Sequence, residues 1–118
     1  MISPYVLRAI GPRHALRYFQ SAERISAERA LAIGLVNEVT SVDTLDAGVA
    51  ALIEPLLAGA PSAQKAAKEL IEAIKARPID EQTLEMTAQR IARQRATAEG
   101  RDGVAAFLEK RPPMWLSI

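Results

Sequence analysis

One short segment, residues 35–40, differs from its surroundings and limits the fold more than any other feature of the sequence. It is strand-like, with Leu35, Val36 and Val39 close together, whereas the rest of the chain is rich in alanine and only 4% of all residues are aromatic. Alanine favours helices, and clustered β-branched residues favour an extended backbone. A single strand cannot pair its own backbone groups, so this segment must find a partner or run as a solvated loop. The sequence therefore predicts a mainly α fold with one extended segment.

Helix start and stop signals recur along the rest of the chain. Capping residues precede apolar residues at helical spacing, and Gly or Pro follows where each stretch ends. We expect Pro55 to kink or shorten one helix. The predicted helices cover residues 3–10, 13–20, 27–33, 43–58, 62–77, 80–97 and 102–111, and the predicted N-caps include Ser3, Ser26, Ser62 and Asp102. We interpret residues 1–118 as a single helical region, with helices plus the extended segment in 1–40 and a helical assembly segment in 41–118.

Composition excludes most forms of self-contained chemistry. The chain has 118 residues, no cysteine and one histidine, His14. Thiolate zinc sites, disulfides and a cysteine nucleophile are therefore excluded, and a zinc site with several histidines cannot form. The sequence contains no Walker loop, no Gly-x-Gly-x-x-Gly and no Gly-x-Ser-x-Gly turn. It thus predicts neither a metal nor a bound cofactor.

Charge and hydropathy also narrow the class of partner. The net charge of +1 is far from the concentrated positive charge of a nucleic-acid-binding surface. No apolar run approaches the roughly 18 residues of a membrane span. We therefore expect no nucleic-acid partner and no membrane partner, and the absence of cysteine favours a reducing, cytoplasmic location.

Two segments carry a family resemblance. Residues 22–39 read AERISAERALAIGLVNEV, and residues 99–113 read EGRDGVAAFLEKRPP. In this order and at this separation, both resemble the crotonase, or enoyl-CoA hydratase/isomerase, superfamily. The resemblance implies the C-terminal helical, trimerisation-type portion of the crotonase fold, and we expect the family's N-terminal β/α spiral to be absent from this chain.

The resemblance also implies where the chemistry of the family resides. The spiral carries an oxyanion hole of two backbone N–H groups and two catalytic glutamates, which precede the point that matches Ile2 here. No glutamate of this chain matches either of them, so we expect no catalytic residue and no activity from this chain alone. Residues 2–11 depart from the common family pattern and look like the methylglutaconyl-CoA hydratase branch. Hydration of straight-chain 2-enoyl-CoA thioesters in fatty-acid degradation remains the default expectation, with branched-chain acyl-CoA degradation beside it.

Phe107 and Lys110 match a Phe and a Lys that approach the adenine and the 3′-phosphate of CoA in family members. An aromatic edge suits a base, and an ammonium suits a phosphate. Each residue also has a structural interpretation, in which Phe107 belongs to the core and Lys110 is a cation favoured by the negative end of the helix dipole. Both interpretations remain open from the sequence.

The family's C-terminal helices also build trimers, often paired into hexamers, so the resemblance implies a homo-oligomer. The apolar stripes of the predicted helices agree with such packing. The leading hypothesis is the assembly and CoA-contacting portion of an enzyme acting on 2-enoyl-CoA thioesters. The alternative is a free-standing helical oligomerisation or interaction module without catalytic activity.

Overall fold

The computed structural model describes residues 2–116, which contain six α-helices, two short 3-10 turns and no strand. The prediction of a mainly α fold is therefore confirmed. The chain divides into two compact units, one ending at Val49 and one starting at Ala50, and the predicted subdivision at residue 40 stays a prediction. No helix within residues 2–116 is both long and apolar enough to cross a bilayer. The helices are α1 (Ser3–Ser21), α2 (Ala27–Ala32), α3 (Leu45–Ala58), α4 (Pro61–Ile74), α5 (Glu81–Ala96) and α6 (Ala98–Glu109), and the 3-10 turns are η1 (Val42–Thr44) and η2 (Met114–Leu116).

The strand-like segment forms a loop. Gly34 ends α2 with a positive φ of 75°, and the Leu35 N–H donates back to the Ala30 carbonyl over 2.8 Å. Beyond this turn, Val36 and Val39 are exposed and residues 35–40 form no strand. Of the two alternatives, the solvated loop is confirmed, because the described residues supply no neighbouring strand.

A small apolar cluster stabilises the first unit. Helix α1 is broken at Gly11, whose φ of 73° and ψ of 166° are not helical, so the predicted stop after Ile10 is confirmed. The break lets both halves of α1 contribute to one cluster. Ile10, Ala15 and Tyr18 are buried together with Ile33, which follows α2.

Polar contacts complete the first unit. The predicted cap Ser26 is confirmed, because its hydroxyl accepts the Arg29 N–H over 3.1 Å. Arg29 in turn donates from Nε to the Tyr18 hydroxyl over 2.9 Å, which connects α2 to α1. The predicted cap Ser3 is wrong: α1 starts after Ile2 and no side chain caps it.

In the second unit, α4 packs against α5, α5 against α6, and α6 against η2. Little is buried: among the described residues of this unit, only Thr83 and Ala106 are buried, while Leu84 and Ile91 of α5 are 59% and 64% exposed. An apolar groove of about 400 Å³ lies between α4 and α5. Within the described residues, the apolar stripes of these helices are therefore only partly covered.

At the helix starts of the second unit, the predicted start at Asp80 is confirmed, whereas two predicted caps are wrong. Asp80 caps α5, since its carboxylate accepts the Thr83 N–H over 2.8 Å. Ser62 and Asp102 were wrong as caps: α4 starts at Pro61 after Ala60, and α6 starts at Ala98. The N-cap of α6 is Thr97, whose hydroxyl accepts the Gly100 N–H over 2.9 Å. Helix α3 runs through Pro55 and ends three residues later.

We predict that Thr97→Ala lowers the free energy of unfolding by about 1 kcal/mol, because it removes the N-cap acceptor of α6. Thr87→Ala is the matched control, since the Thr87 hydroxyl only donates to the Leu84 carbonyl inside α5. This control should leave stability unchanged or raise it, because alanine is the better helix former. Urea unfolding of both variants measures the difference, and equal losses would show that Thr97 does not act as a cap.

Candidate functional site

The candidate site lies at the C-terminal end of α6, where the backbone turns sharply. Lys110 adopts a left-handed conformation, with φ 54° and ψ 40°. Its N–H donates to the Phe107 carbonyl over 3.4 Å, and the Arg111 N–H donates to the Ala106 carbonyl over 3.0 Å. These two bonds form a Schellman motif, which satisfies carbonyls at the end of a helix. Pro112 follows and prevents the helix from resuming.

Lys110 occupies the position of this motif that glycine usually takes. A left-handed residue that has a Cβ costs roughly 1 to 2 kcal/mol relative to the right-handed conformation. The Lys110 side chain is exposed, and among residues 2–116 no carboxylate pairs with its ammonium. The backbone thus accepts a strained residue whose charge has no carboxylate partner among residues 2–116.

Arg111, the next residue, engages the two carboxylates of this region. Its guanidinium donates to Glu109 over 2.6 Å and to Asp102 over 2.8 Å. The hydrogen bond to Glu109, followed by the one to Asp102, raises the pKa of Arg111. Both acidic groups are therefore occupied by Arg111.

Asp102 connects the helix to the segment that follows it. One carboxylate oxygen accepts from Arg111, and the other accepts the Met114 N–H over 2.7 Å. The Met114 N–H, and after it the Arg111 guanidinium, lower the pKa of Asp102. The residue predicted as a helix cap instead anchors residues 111–114 against α6.

Phe107 is 83% exposed, so among the described residues it is not part of a core. It lines a mostly apolar groove of about 390 Å³ together with Leu108 and Trp115. The Trp115 indole donates to the Ala58 carbonyl over 3.0 Å. Its ring lies so near Gly103 that a Cβ there would come within 2.9 Å of it. Only glycine fits beneath the indole without displacing it.

At the other end of α6, Glu99 binds the start of α4. Its carboxylate accepts the backbone N–H groups of Ser62 and Ala63 over 3.0 to 3.1 Å and also bonds the Ser62 hydroxyl. Gln94 of α5 donates to that hydroxyl over 2.9 Å. The Ser62 hydroxyl, followed by the two backbone N–H groups, lowers the pKa of Glu99. We call Glu99, Ser62, Ala63 and Gln94 the Glu99 clasp. The Glu99 carboxylate accepts from the first backbone N–H groups of α4, a role that was predicted for the Ser62 side chain.

The arrangement favours binding over catalysis. It places around one helix end an exposed aromatic ring and a cation that no described carboxylate pairs with, and such groups suit a planar base and a phosphate. Within the described residues, no three acidic, histidine or cysteine side chains come together to hold a metal. The assignment of Phe107 and Lys110 to CoA remains a prediction.

Sequence reasoning missed Glu99, Asp102 and Arg111 as organising residues. Glu99 lies 37 residues from Ser62, and Asp102 lies nine residues from Arg111, past the end of the helix. Neither spacing is a helical neighbour spacing. One available signal was Thr97, whose residue type is common at N-caps and which places a possible start of α6 before Asp102.

The profile of the enoyl-CoA hydratase/isomerase family matches residues 1–117. A Thermus thermophilus relative, named as a candidate enoyl-CoA hydratase, is 30% identical over 113 residues, which are 96% of this chain and 44% of the relative. The carnitinyl-CoA dehydratase of Salmonella typhi is 33% identical over 98 residues, which are 80% of this chain and 38% of that enzyme.

Several solved structures are similar to this chain. An enoyl-CoA hydratase from Shewanella pealeana superposes with a TM-score of 0.90 at 42% identity, over 97% of this chain and 42% of that protein. An enoyl-CoA hydratase/isomerase from Marinobacter aquaeolei gives a TM-score of 0.88 at 30% identity, over 97% of this chain and 43% of that protein. The chain thus spans less than half the length of these relatives.

We predict that the Glu99 clasp makes stability depend on pH. Because the folded pKa of Glu99 lies below the ordinary value of 4.5, the carboxylate stabilises the fold above that value, and this contribution is lost as the pH falls through the folded pKa. Glu99→Gln should therefore melt at a lower temperature than the wild type at pH 7, and the difference should shrink below about pH 4.

The matched control is Glu54→Gln, which changes an exposed glutamate of α3. Thermal melts of the three proteins between pH 7 and pH 3 make the comparison. A constant gap between the wild type and Glu99→Gln across this range would contradict the assigned role of the carboxylate.

Proposed function

The chain belongs to the enoyl-CoA hydratase/isomerase family, and from this premise we propose that it forms the C-terminal, CoA-contacting and assembly portion of an enzyme acting on 2-enoyl-CoA thioesters. Two lines of support meet here. The chain matches less than half the length of its relatives, and residues 99–113 carry the family-like C-terminal pattern.

The observation that carries the proposal is the exposed pair at the end of α6. Phe107 presents most of its ring to solvent, and the Lys110 ammonium is unpaired among the described residues. In the proposed complex, Phe107 lies against the adenine and Lys110 binds the 3′-phosphate. A phosphate is a strong partner for an ammonium, because the two groups carry opposite charges and can form a charge-assisted hydrogen bond.

The names of the relatives agree with a role at the CoA end of the substrate. One relative is named for a carnitinyl-CoA substrate and others for enoyl-CoA, so the shared feature is CoA and the varied feature is the acyl group. We propose 2-enoyl-CoA thioesters of fatty-acid or branched-chain degradation as the substrate class, including a methylglutaconyl-like acyl group.

In this proposal, the chemistry at the thioester belongs to residues outside this chain. The resemblance places the oxyanion hole and both catalytic glutamates in the N-terminal spiral, and no glutamate between Glu23 and Glu109 matches them. The chain's contribution is to bind and orient CoA, which raises the local concentration of the thioester at the reacting groups.

The second candidate, a helical assembly module, is favoured by the exposed apolar side chains. Leu84 and Ile91 of α5 are more than half exposed, as are Leu56 and Leu57 of α3. Apolar side chains exposed in such number are typical of helices that bind a partner. We propose that further copies of this chain cover it in a homo-oligomer, as a trimer or hexamer. Assembly is compatible with CoA binding. The two candidate functions differ in whether the chain is part of a catalytically active enzyme.

Turnover measurements separate these two candidates. We predict that isolated residues 1–118 do not hydrate crotonyl-CoA, because loss of a single oxyanion donor already costs about 10²- to 10³-fold. A full-length protein that carries this chain should hydrate it, as followed by the loss of enoyl thioester absorbance. Turnover by the isolated chain would contradict the assignment of the chemistry to residues outside it, and an inactive full-length protein would favour the module.

We predict that Lys110→Ala in the full-length protein raises the KM for crotonyl-CoA by about 5- to 100-fold, the range expected for a lost charge-assisted contact. The kcat should change much less, since the ammonium lies far from the reacting carbons in the proposed complex. Steady-state kinetics with crotonyl-CoA and with its 3′-dephospho analogue provide the measurement.

The dephospho substrate is the internal control, because it lacks the group that Lys110 is proposed to bind. Its KM should be the same for the wild type and the variant. An equal rise in KM for both substrates would mean that Lys110 acts through the helix end or through assembly, and the structural interpretation of Lys110 would be correct.

A further inference from the structure

Lys110 lies between two anchored pieces of backbone. On its N-terminal side, the Schellman bonds fix it to the last turn of α6. On its C-terminal side, Asp102 binds both the Arg111 guanidinium and the Met114 N–H. The strained φ of Lys110 is therefore maintained from both directions, as a residue in a sparsely populated conformation requires.

Arg111 pairs with the two carboxylates of the segment around Lys110. Glu109 is the sequence neighbour of Lys110, and Asp102 binds the residue after it, so both carboxylates are held within one residue of Lys110 along the chain. Arg111 occupies both of them. A guanidinium has five donors in a planar fork and can serve two carboxylates at once, which a single ammonium does less well. The result is a cation beside two acidic groups that remains available to an external anion.

We propose that Asp102 and Arg111 are positioning residues for Lys110. Together they fix the left-handed turn that presents the ammonium, and Arg111 prevents Glu109 and Asp102 from neutralising it. The inference rests on the proposed function, since the external anion is the 3′-phosphate of CoA.

The test is the ratio of two dissociation constants, that of 3′-dephospho-CoA divided by that of CoA, measured by calorimetry on the full-length protein. This ratio isolates recognition of the 3′-phosphate, because the rest of the ligand is the same. Asp102→Asn should lower the ratio by about 3- to 10-fold, a partial loss of the ammonium's contribution. Asp43→Asn, which changes an exposed aspartate of η1, is the matched control and should leave the ratio unchanged.

A double-mutant cycle separates positioning from general destabilisation. In a Lys110→Ala background, Asp102→Asn should lower the ratio no further, because a residue that acts only through Lys110 has nothing left to act on. Arg111→Gln is a second variant in case Asp102→Asn does not fold. It frees both carboxylates to pair with Lys110 and should lower the ratio at least as much.

The outcomes are distinct. A ratio unchanged by Asp102→Asn and by Arg111→Gln, or lowered equally with and without Lys110, overturns the positioning role and leaves the proposed function intact. A ratio unchanged by Lys110→Ala itself overturns both the positioning role and the proposed CoA contact. A loss that disappears in the Lys110→Ala background supports the inference.

Discussion

The arrangement of the second unit depends on one polar interaction, the carboxylate of Glu99 at the N-terminus of α4. The first N–H groups of any helix lack partners within it, and the helix dipole adds partial positive charge there. Glu99 supplies both hydrogen-bond acceptors and a negative charge. Few apolar side chains among the described residues of this unit are buried. The polar contact between α4 and α6 therefore contributes stability that a larger core would otherwise provide. This contact joins α6, which carries the candidate site at its other end, to the start of α4.

The sequence predicted those features whose partners are close along the chain. Ser26 caps α2 by binding an N–H group three residues away. Asp80 marks the start of α5, and Gly11 and Gly34 end helices through their own positive φ. Such features depend on local chemistry, which a single sequence displays. The mainly α fold follows from the same local signals.

Features formed between residues that are distant in sequence could not be predicted. Serine is a common N-cap residue, yet Ser62 binds Glu99 instead of capping α4. Asp102 was likewise taken for a cap, although it anchors Arg111 and Met114. The exposure of Phe107 depends on which helices lie beside it, and hydrophobicity alone pointed to the core. Lys110 could be identified by resemblance, but its left-handed backbone could not, because lysine rarely adopts it.

The incomplete burial within α3, α4 and α5 has a thermodynamic consequence. A partner that covers this apolar surface binds the folded state and not the unfolded chain. Such binding stabilises the fold by mass action, so the melting temperature rises with the concentration of the partner. In the proposed homo-oligomer, a chain with this much uncovered apolar surface draws a share of its stability from association. Its lifetime in dilute solution, where helices open more often to proteases, is then a property of the assembly rather than of the single polypeptide.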